Sequence, residues 1–408
     1  SVTSGGRFSA FDLRAGAIRA LSRSGIVSAR AELDDLVEDI AARARRESFD
    51  LGWGADAPGH VKIFMATDTM RSKILLPHRL DRIATPGRSL LAAELRQQAG
   101  KGCDELDAAQ VVAASAIAGS DGLVTVTGPA GAGKTTMLRV AQRALAAQRR
   151  RMLVVAPTRR AASVAAREIG VTATSIHALL ADHGFRWGTD AAGGTTWQRL
   201  AIGDMDADTG AIYDGPTQFV LRTRDRVVVD EAGMVDLQVA NALAELAHDR
   251  RVGLAMVGDP HQALPVGHVG AMATAVRHAG AAVELDTVHR FHDAEYAALT
   301  LKLRHPGDLK HAAMIASELA DRGHLARVDH VDAARRHMVD AYFAWHSRGK
   351  RVALVTATNI DAGTLNDEIQ QLRVDRGELD PTTLAWGMGE QRILVGDTVQ
   401  TRRNDRRT

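Results

Sequence analysis

A single cysteine, Cys103, in 408 residues excludes an intramolecular disulfide framework and most thiolate metal sites, and gives that residue the part of a small buried hydrophobe. An excess of either charge is also missing. Lys and Arg number 51 against 49 Asp and Glu, a net +2, so any nucleic acid would have to be held on a local basic track. No run of about eighteen apolar residues occurs, and Ser1 to Ala10 lacks the charged start and apolar stretch of a secretory leader. The expectation is a cytoplasmic protein with no membrane insertion. What the chain does have is length for two or three domains, and 45% hydrophobic residues to fill their cores.

One stretch organises the rest. Gly128-Pro129-Ala130-Gly131-Ala132-Gly133-Lys134-Thr135 satisfies the phosphate-loop pattern G-x-x-x-x-G-K-[ST] at every fixed position. The β-branched run Leu123-Val124-Thr125-Val126-Thr127 precedes it, and a helical stretch opening at Thr136 follows, so strand, loop and helix stand in the required order. Glycines let backbone N–H groups close around the phosphates of ATP at a helix N-terminus. Lys134 adds a point charge, and the Thr135 hydroxyl can ligate Mg²⁺, with Thr136 beside it in the cradle.

Further candidates stand at other strand ends. Met152 to Ala156 reads as a strand running into Pro157-Thr158-Arg159, and loops at the carboxyl ends of parallel strands line the ligand crevice. Thr158 and Arg159 there could hold a phosphodiester backbone, and Ser175 and His177 offer more short hydrogen-bonding side chains. Arg226 to Val229 reads as a buried strand leading into Asp230-Glu231, where Asp230 can hold Mg²⁺ and Glu231 can polarise the attacking water of ATP hydrolysis. After a further strand at Gly253 to Val257, Gln262 could sense the γ-phosphate. Arg290 is a candidate arginine finger. Gln110 precedes Gly128 on a helix; it is either an ordinary buried or solvated amide or a reader of the adenine edge, since an amide supplies a donor and an acceptor together. His289 and His292 form an H-x-x-H pair with no third ligand nearby, which favours a non-metal reading. From 185 to 218, Trp187, Trp197 and several Asp and Gly residues interrupt the α/β alternation and predict an inserted β arm. Its alternate aspartates lack the twelfth-position Glu of a Ca²⁺ loop and predict a polar turn.

Taken in order, these segments resemble the RecD-like branch of the superfamily 1 DNA helicases. Residues 128–135 look like the ATP-binding motif, Gln110 falls where the family places an adenine-contacting glutamine, and 156–162 and Ser175-Ile176-His177 look like DNA-contact motifs. Asp230-Glu231, 258–262 and Arg290 resemble motifs II, III and IV. Leu365-Asn366 and 396–402 resemble the opening of a second motor domain. Residues 183–187 and 208–216 look like the helicase part of MobF-type conjugative relaxases, the TraA/TrwC-like proteins. The nicking domain of those proteins, with its tyrosine nucleophile and three-histidine metal site, is not visible around Tyr213, Tyr296 or Tyr342.

The resulting expectation is an α/β architecture with a helical N-terminal domain over 1–104 and a first RecA-like domain over 105–293, carrying the β arm at about 185–218. The start of a truncated second RecA-like domain fills 294–408. The resemblance implies ATP-driven, 5′ to 3′ translocation on single-stranded DNA, with conjugation or repair machinery as possible partners. The missing initial methionine and the basic run ending at Thr408 predict a fragment. Two rivals stay open on residues alone: a phosphate-loop enzyme that phosphorylates a small molecule, and a nucleotide-dependent interaction module that does not hydrolyse.

Overall fold

The computed structural model describes residues 6–52, 58–189, 195–262, 270–289, 293–304, 307–387 and 391–399. The chain divides into two compact units, Ser1–His305 and Pro306–Thr408.

The first unit opens with β1 (Arg7–Phe8) and α1 (Ala10–Ser24), whose start is fixed by a capping box. The Ser9 hydroxyl accepts the Asp12 N–H at 3.1 Å, and the Asp12 carboxylate accepts the Ser9 N–H at 2.9 Å. Helix α2 (Arg30–Arg46) packs on α1, with Arg14 of α1 paired to Glu38 of α2. Strands β2 (Ser48–Asp50) and β3 (Phe64–Ala66) complete an antiparallel sheet in the order β1-β3-β2. These strands are two or three residues long, too short for alternation to register in sequence, and so a stretch that reads as mostly helical contains a small sheet as well. Helix α3 (Thr67–Ile83) runs through Pro77 and buries Leu76, Leu80 and Ile83; α4 (Ala92–Ala99) buries Leu95 and Ala99.

A six-stranded sheet follows, built from alternating strands and helices. In chain order these are α5 (Ala108–Ala118), β4 (Leu123–Thr127), α6 (Lys134–Ala147), β5 (Met152–Ala156), α7 (Arg159–Ala165), β6 (Ala173–Ser175) and α8 (Ile176–Asp182). The chain then makes a hairpin of β7 (Phe185–Thr189) and β8 (Thr195–Arg199), and returns as β9 (Arg226–Val229), α9 (Leu237–Arg250), β10 (Gly253–Gly258), α10 (Ala271–His278) and β11 (Ala281–Glu284). The sheet order is β11-β4-β10-β9-β5-β6, and every pairing is parallel.

Side-chain alternation sorts the strands onto two cores. Leu123, Leu153, Val155, Val227, Val229, Leu254 and Met256 face one side, with α3, α8, α9 and α10 contributing the opposing residues. Val124, Val126, Val154, Val228, Ala255 and Val257 face the other, against α4, α5 and α6. The near-continuous apolar strands are the expected signature of a sheet covered on both faces.

Arg226, at the start of β9, is fully buried. Its guanidinium donates to the carbonyls of Asp121 at 2.8 Å and Gly119 at 3.1 Å, just beyond the end of α5. Arg150 joins it there, donating to Ala118 and Gly119, so two cations satisfy the carbonyl end of α5. In the hairpin, Trp187 lies opposite Trp197, and an isolated bridge pairs Met205 with Ile212 further on. Asp206 accepts from the Arg186 guanidinium at 2.7 Å and from the Asp208 N–H at 3.1 Å, which makes the aspartate-rich run a polar turn. Residues 190–194 lie outside the described residues. Helix α11 (Ala294–Arg304) ends the described part of this unit.

The second unit contains α12 (Leu309–Asp321), α13 (Val331–His346), α14 (Asn359–Asp375) and the antiparallel pair β12 (Asp380–Trp386) and β13 (Arg392–Val395). Its buried cluster is small: Val339, Phe343 and Leu365, with the Arg376 guanidinium 3.6 Å from the Phe343 ring centre.

Candidate nucleotide site

The carboxyl ends of β4, β9 and β10 meet at one edge of the sheet, because parallel neighbours in register end together. The phosphate loop leaves β4 there. Its first residue is tied across the sheet, with the Gly128 N–H donating to the Gly258 carbonyl at 3.1 Å. Gly133 adopts φ +70° and forms the N-cap of α6, a conformation that disfavours other residues. Lys134, at the first position of α6, donates its Nζ to the Gly128 carbonyl at 3.0 Å and the Pro129 carbonyl at 2.9 Å, arching over the loop. A phosphate oxygen is a stronger acceptor for that ammonium than either carbonyl. Thr135 and Thr136 follow in the first turn, half-buried, while Ala130 is exposed and Ala132 is buried.

The acidic pair is held beside this loop. The Asp230 N–H donates to the Val155 carbonyl at 2.8 Å, and the Asp230 carboxylate accepts the Glu231 N–H at 3.0 Å. Burial pushes the Asp230 carboxyl up to about 6; the neighbouring Glu231 pushes the same way, and the Glu231 N–H and Lys134 pull it back. Glu231 sits at φ +55°, ψ +41°, a left-handed conformation that costs a non-glycine residue roughly 1 kcal/mol or more and gathers at functional sites. Gln262 lies nearby on the β10 side, its amide nitrogen donating to the buried Asp259 carboxylate at 3.0 Å. Arg290 lies outside the described residues, as does His292.

Two half-buried carboxylates, Asp230 and Glu231, beside a hydroxyl on the phosphate loop make a donor set that suits a hard divalent ion. Among the described residues no three His, Cys, Asp or Glu side chains gather at one point.

Gln110 is buried under the loop. Its amide nitrogen donates to the Ala132 carbonyl at 2.9 Å, and its amide oxygen accepts the Asp107 N–H at 3.0 Å. Sequence reasoning missed Asp107 and undervalued His289. Asp107 caps α5 and accepts from the His289 ring at 2.8 Å, while the His289 N–H donates to the Gly131 carbonyl at 2.8 Å. Burial pushes the Asp107 carboxyl up, but the Gln110 N–H, the His289 ring and the Ala109 N–H outweigh it and hold it below the ordinary range. The signal was legible as Asp-x-x-Gln ahead of an apolar helix, a capping box with an aspartate.

The predicted DNA-contact residues divide by exposure. Thr158 and Arg159 are exposed at the end of β5, with Pro157 half-buried behind them, and the Thr158 hydroxyl accepts the Ala161 N–H at 3.1 Å to cap α7. Ser175 is buried and caps α8 through the Ala178 N–H at 3.2 Å. His177 packs against the hairpin, with its ring centre 4.7 Å from that of Trp187 and 6.4 Å from that of Trp197. Burial pushes its imidazole below the ordinary value, against the opposing field of Asp236. Trp197 in turn donates its indole N–H to Gln238 of α9 at 2.6 Å.

A parallel sheet covered on both faces, with a glycine-rich phosphate loop and an acidic pair at adjoining strand ends, defines a P-loop nucleotide-binding domain. The family model described as AAA domain, of the RecD-like helicase kind, matches residues 105–330, more than half of the chain, and the chain belongs to that family. Over 298 residues it is 23% identical to the "Probable conjugal transfer protein TraA" of Sinorhizobium fredii (strain NBRC 101917 / NGR234), covering 72% of this chain and 24% of that protein. The chain thus spans about a quarter of the length of this curated relative. It is also similar to a solved structure of Arterivirus nonstructural protein 10 (helicase) with DNA, at 20% identity over 48% of this chain and 42% of that one, with a TM-score of 0.27. A crystal structure of the same helicase matches at 20% identity over 46% of this chain and 40% of that one, with a TM-score of 0.26. Among the described residues no helix is long and apolar enough to cross a membrane.

Proposed function

We propose that this chain is the motor portion of a superfamily 1 DNA helicase that couples ATP hydrolysis to 5′ to 3′ movement on single-stranded DNA during conjugative transfer. The observation that carries the reading is the meeting of phosphate loop and acidic pair at one sheet edge, with the exposed Thr158 and Arg159 at the end of neighbouring β5. The family match supports it, and the likeness to a conjugal transfer protein favours transfer over repair. In this reading residues 1–104, 105–293 and 294–408 are a helical domain, the first motor domain and the start of the second.

Residues 128–136 hold the triphosphate, with Lys134 moving from the loop carbonyls to the phosphates. Thr135 and Asp230 would hold Mg²⁺, which would neutralise charge on the phosphate oxygens. Glu231 orients and polarises the attacking water, Gln262 senses the γ-phosphate through its link to Asp259, and Arg290 supplies positive charge to the leaving group. Thr158 and Arg159 contact the strand, with Pro157 behind them, and Ser175 and His177 contribute to that face through the start of α8.

The test is ATP turnover with and without single-stranded DNA, in the wild type and in Lys134→Ala. DNA should stimulate turnover in the wild type, and the variant should lose both affinity and turnover. Turnover indifferent to DNA would return the reading to a small-molecule kinase, and turnover surviving in Lys134→Ala would remove the phosphate loop from its role.

A further inference from the structure

Trp187 and Trp197 are direct register partners across the β7–β8 hairpin, with ring centres 5.5 Å apart. The two indoles differ in what they do for the fold. Trp197 packs on the buried cluster under that face of the sheet and donates its indole N–H to Gln238 of α9. Trp187 is not among the residues packed on that cluster. Its ring rests on Trp197 and on the His177 imidazole, the latter at 4.7 Å and 63°, and stays partly exposed. A ring held by two neighbours keeps its orientation before any ligand arrives, so little freedom is lost on contact.

The sheet sets where this ring stands. Ala156 of β5 and Ser175 of β6 are register partners, so Thr158 and His177 each lie two residues beyond the same rung, at the carboxyl ends of neighbouring parallel strands. Arg159 follows Thr158 and is exposed. A cation and an aromatic ring are thereby brought to one edge of the sheet, and that combination holds a single nucleic-acid strand: the cation takes a phosphate and the ring takes the face of a base.

We propose that Trp187 is a stacking platform for one unpaired base of single-stranded DNA, supported from behind by His177. The inference rests on the strand-contacting face described above and adds a base contact to it. That contact accepts any base, because every base has a π face.

The test compares the wild type with Trp187→Ala and Trp187→Phe, titrated with a labelled oligothymidylate and with an abasic oligonucleotide of the same length at several salt concentrations. Trp187→Ala should bind oligothymidylate about tenfold more weakly, and Trp187→Phe should recover most of that loss. Neither should change affinity for the abasic strand or the slope of log affinity against log salt, since no phosphate contact is removed. Thermal melts report the fold; if they show Trp187→Ala unfolded, Trp187→Leu, which keeps apolar bulk without a π face, carries the same comparison. Equal losses on the two strands would make Trp187 a prop for the hairpin and overturn the proposal, as would unchanged affinity of the variant for oligothymidylate. Failure of the wild type to bind either strand would sink the strand-contacting face itself, and this proposal with it.

Discussion

Gly233 and Asp259 touch backbone to backbone: a Cβ on Gly233 would lie 2.3 Å from the Asp259 carbonyl oxygen. The loop after the acidic pair and the loop that carries Gln262 are thereby in direct contact, with no side chain between them. Gly233→Ala must separate the two, at a cost of about 1–3 kcal/mol in a packed region. Denaturant melts should show that loss, and the ATP turnover of the folded variant should fall with it. A midpoint equal to wild type would mean that the approach is slack.

Glu231→Gln keeps the shape of the side chain and removes its ability to take a proton. Nucleotide affinity should stay within about twofold, while turnover falls by about a hundredfold or more. A single-turnover assay at saturating ATP separates these effects; turnover near wild type would assign the water to another residue.

The raised Asp230 carboxyl sets a pH dependence with a definite sign. Its folded value of about 6 exceeds the ordinary value of about 3.9, so the folded state holds a proton that the unfolded state has lost between those limits. Stability contributed at low pH is lost as pH rises from about 4 to about 6, by roughly 2–3 kcal/mol, and is flat above. Asp230→Asn should therefore raise the melting midpoint at pH 8 and leave it unchanged at pH 4. The ionised form is the one that holds a cation, so Mg²⁺-dependent turnover of the wild type should decline as pH falls through about 6. Equal effects of the substitution at both pH values would show that burial does not raise this carboxyl.

Single-stranded DNA binding should be steeply salt-dependent, and Arg159→Ala should reduce the slope of log affinity against log salt by about one. His177→Ala should reduce it less, because the half-buried imidazole packs against Trp187 and its burial disfavours the charged form. Fluorescent oligonucleotide titrations at several salt concentrations report both. An equal drop in slope for the two variants would place a charged His177 on the strand.

The sequence makes the phosphate loop legible because its function demands residue types at fixed spacing, and the strands around it because short runs rich in apolar and β-branched residues have few other uses. Arg226 was legible only as the start of such a strand, since its partners are main-chain carbonyls and carry no sequence signal. Gln110 reads as an amide available for a base, yet its burial and its bond to Ala132 depend on contacts that close only in three dimensions. Thr158 and Ser175 read as strand-contacting hydroxyls; each also caps a helix, a local role that the same residue types fill equally well.

Arg226 also has a bearing on the order in which this protein can be made. The carbonyls it satisfies stand 105 and 107 residues earlier in the chain, at the junction that leads into the strand bearing the phosphate loop. A ribosome adding about 5–20 residues per second exposes that junction for several seconds before residue 226 exists. Over that interval the turn between α5 and β4 lacks one of its two cations, and local contacts alone cannot complete it. That turn is closed by a residue made long after it, and the nascent chain carries it unfinished until β9 docks.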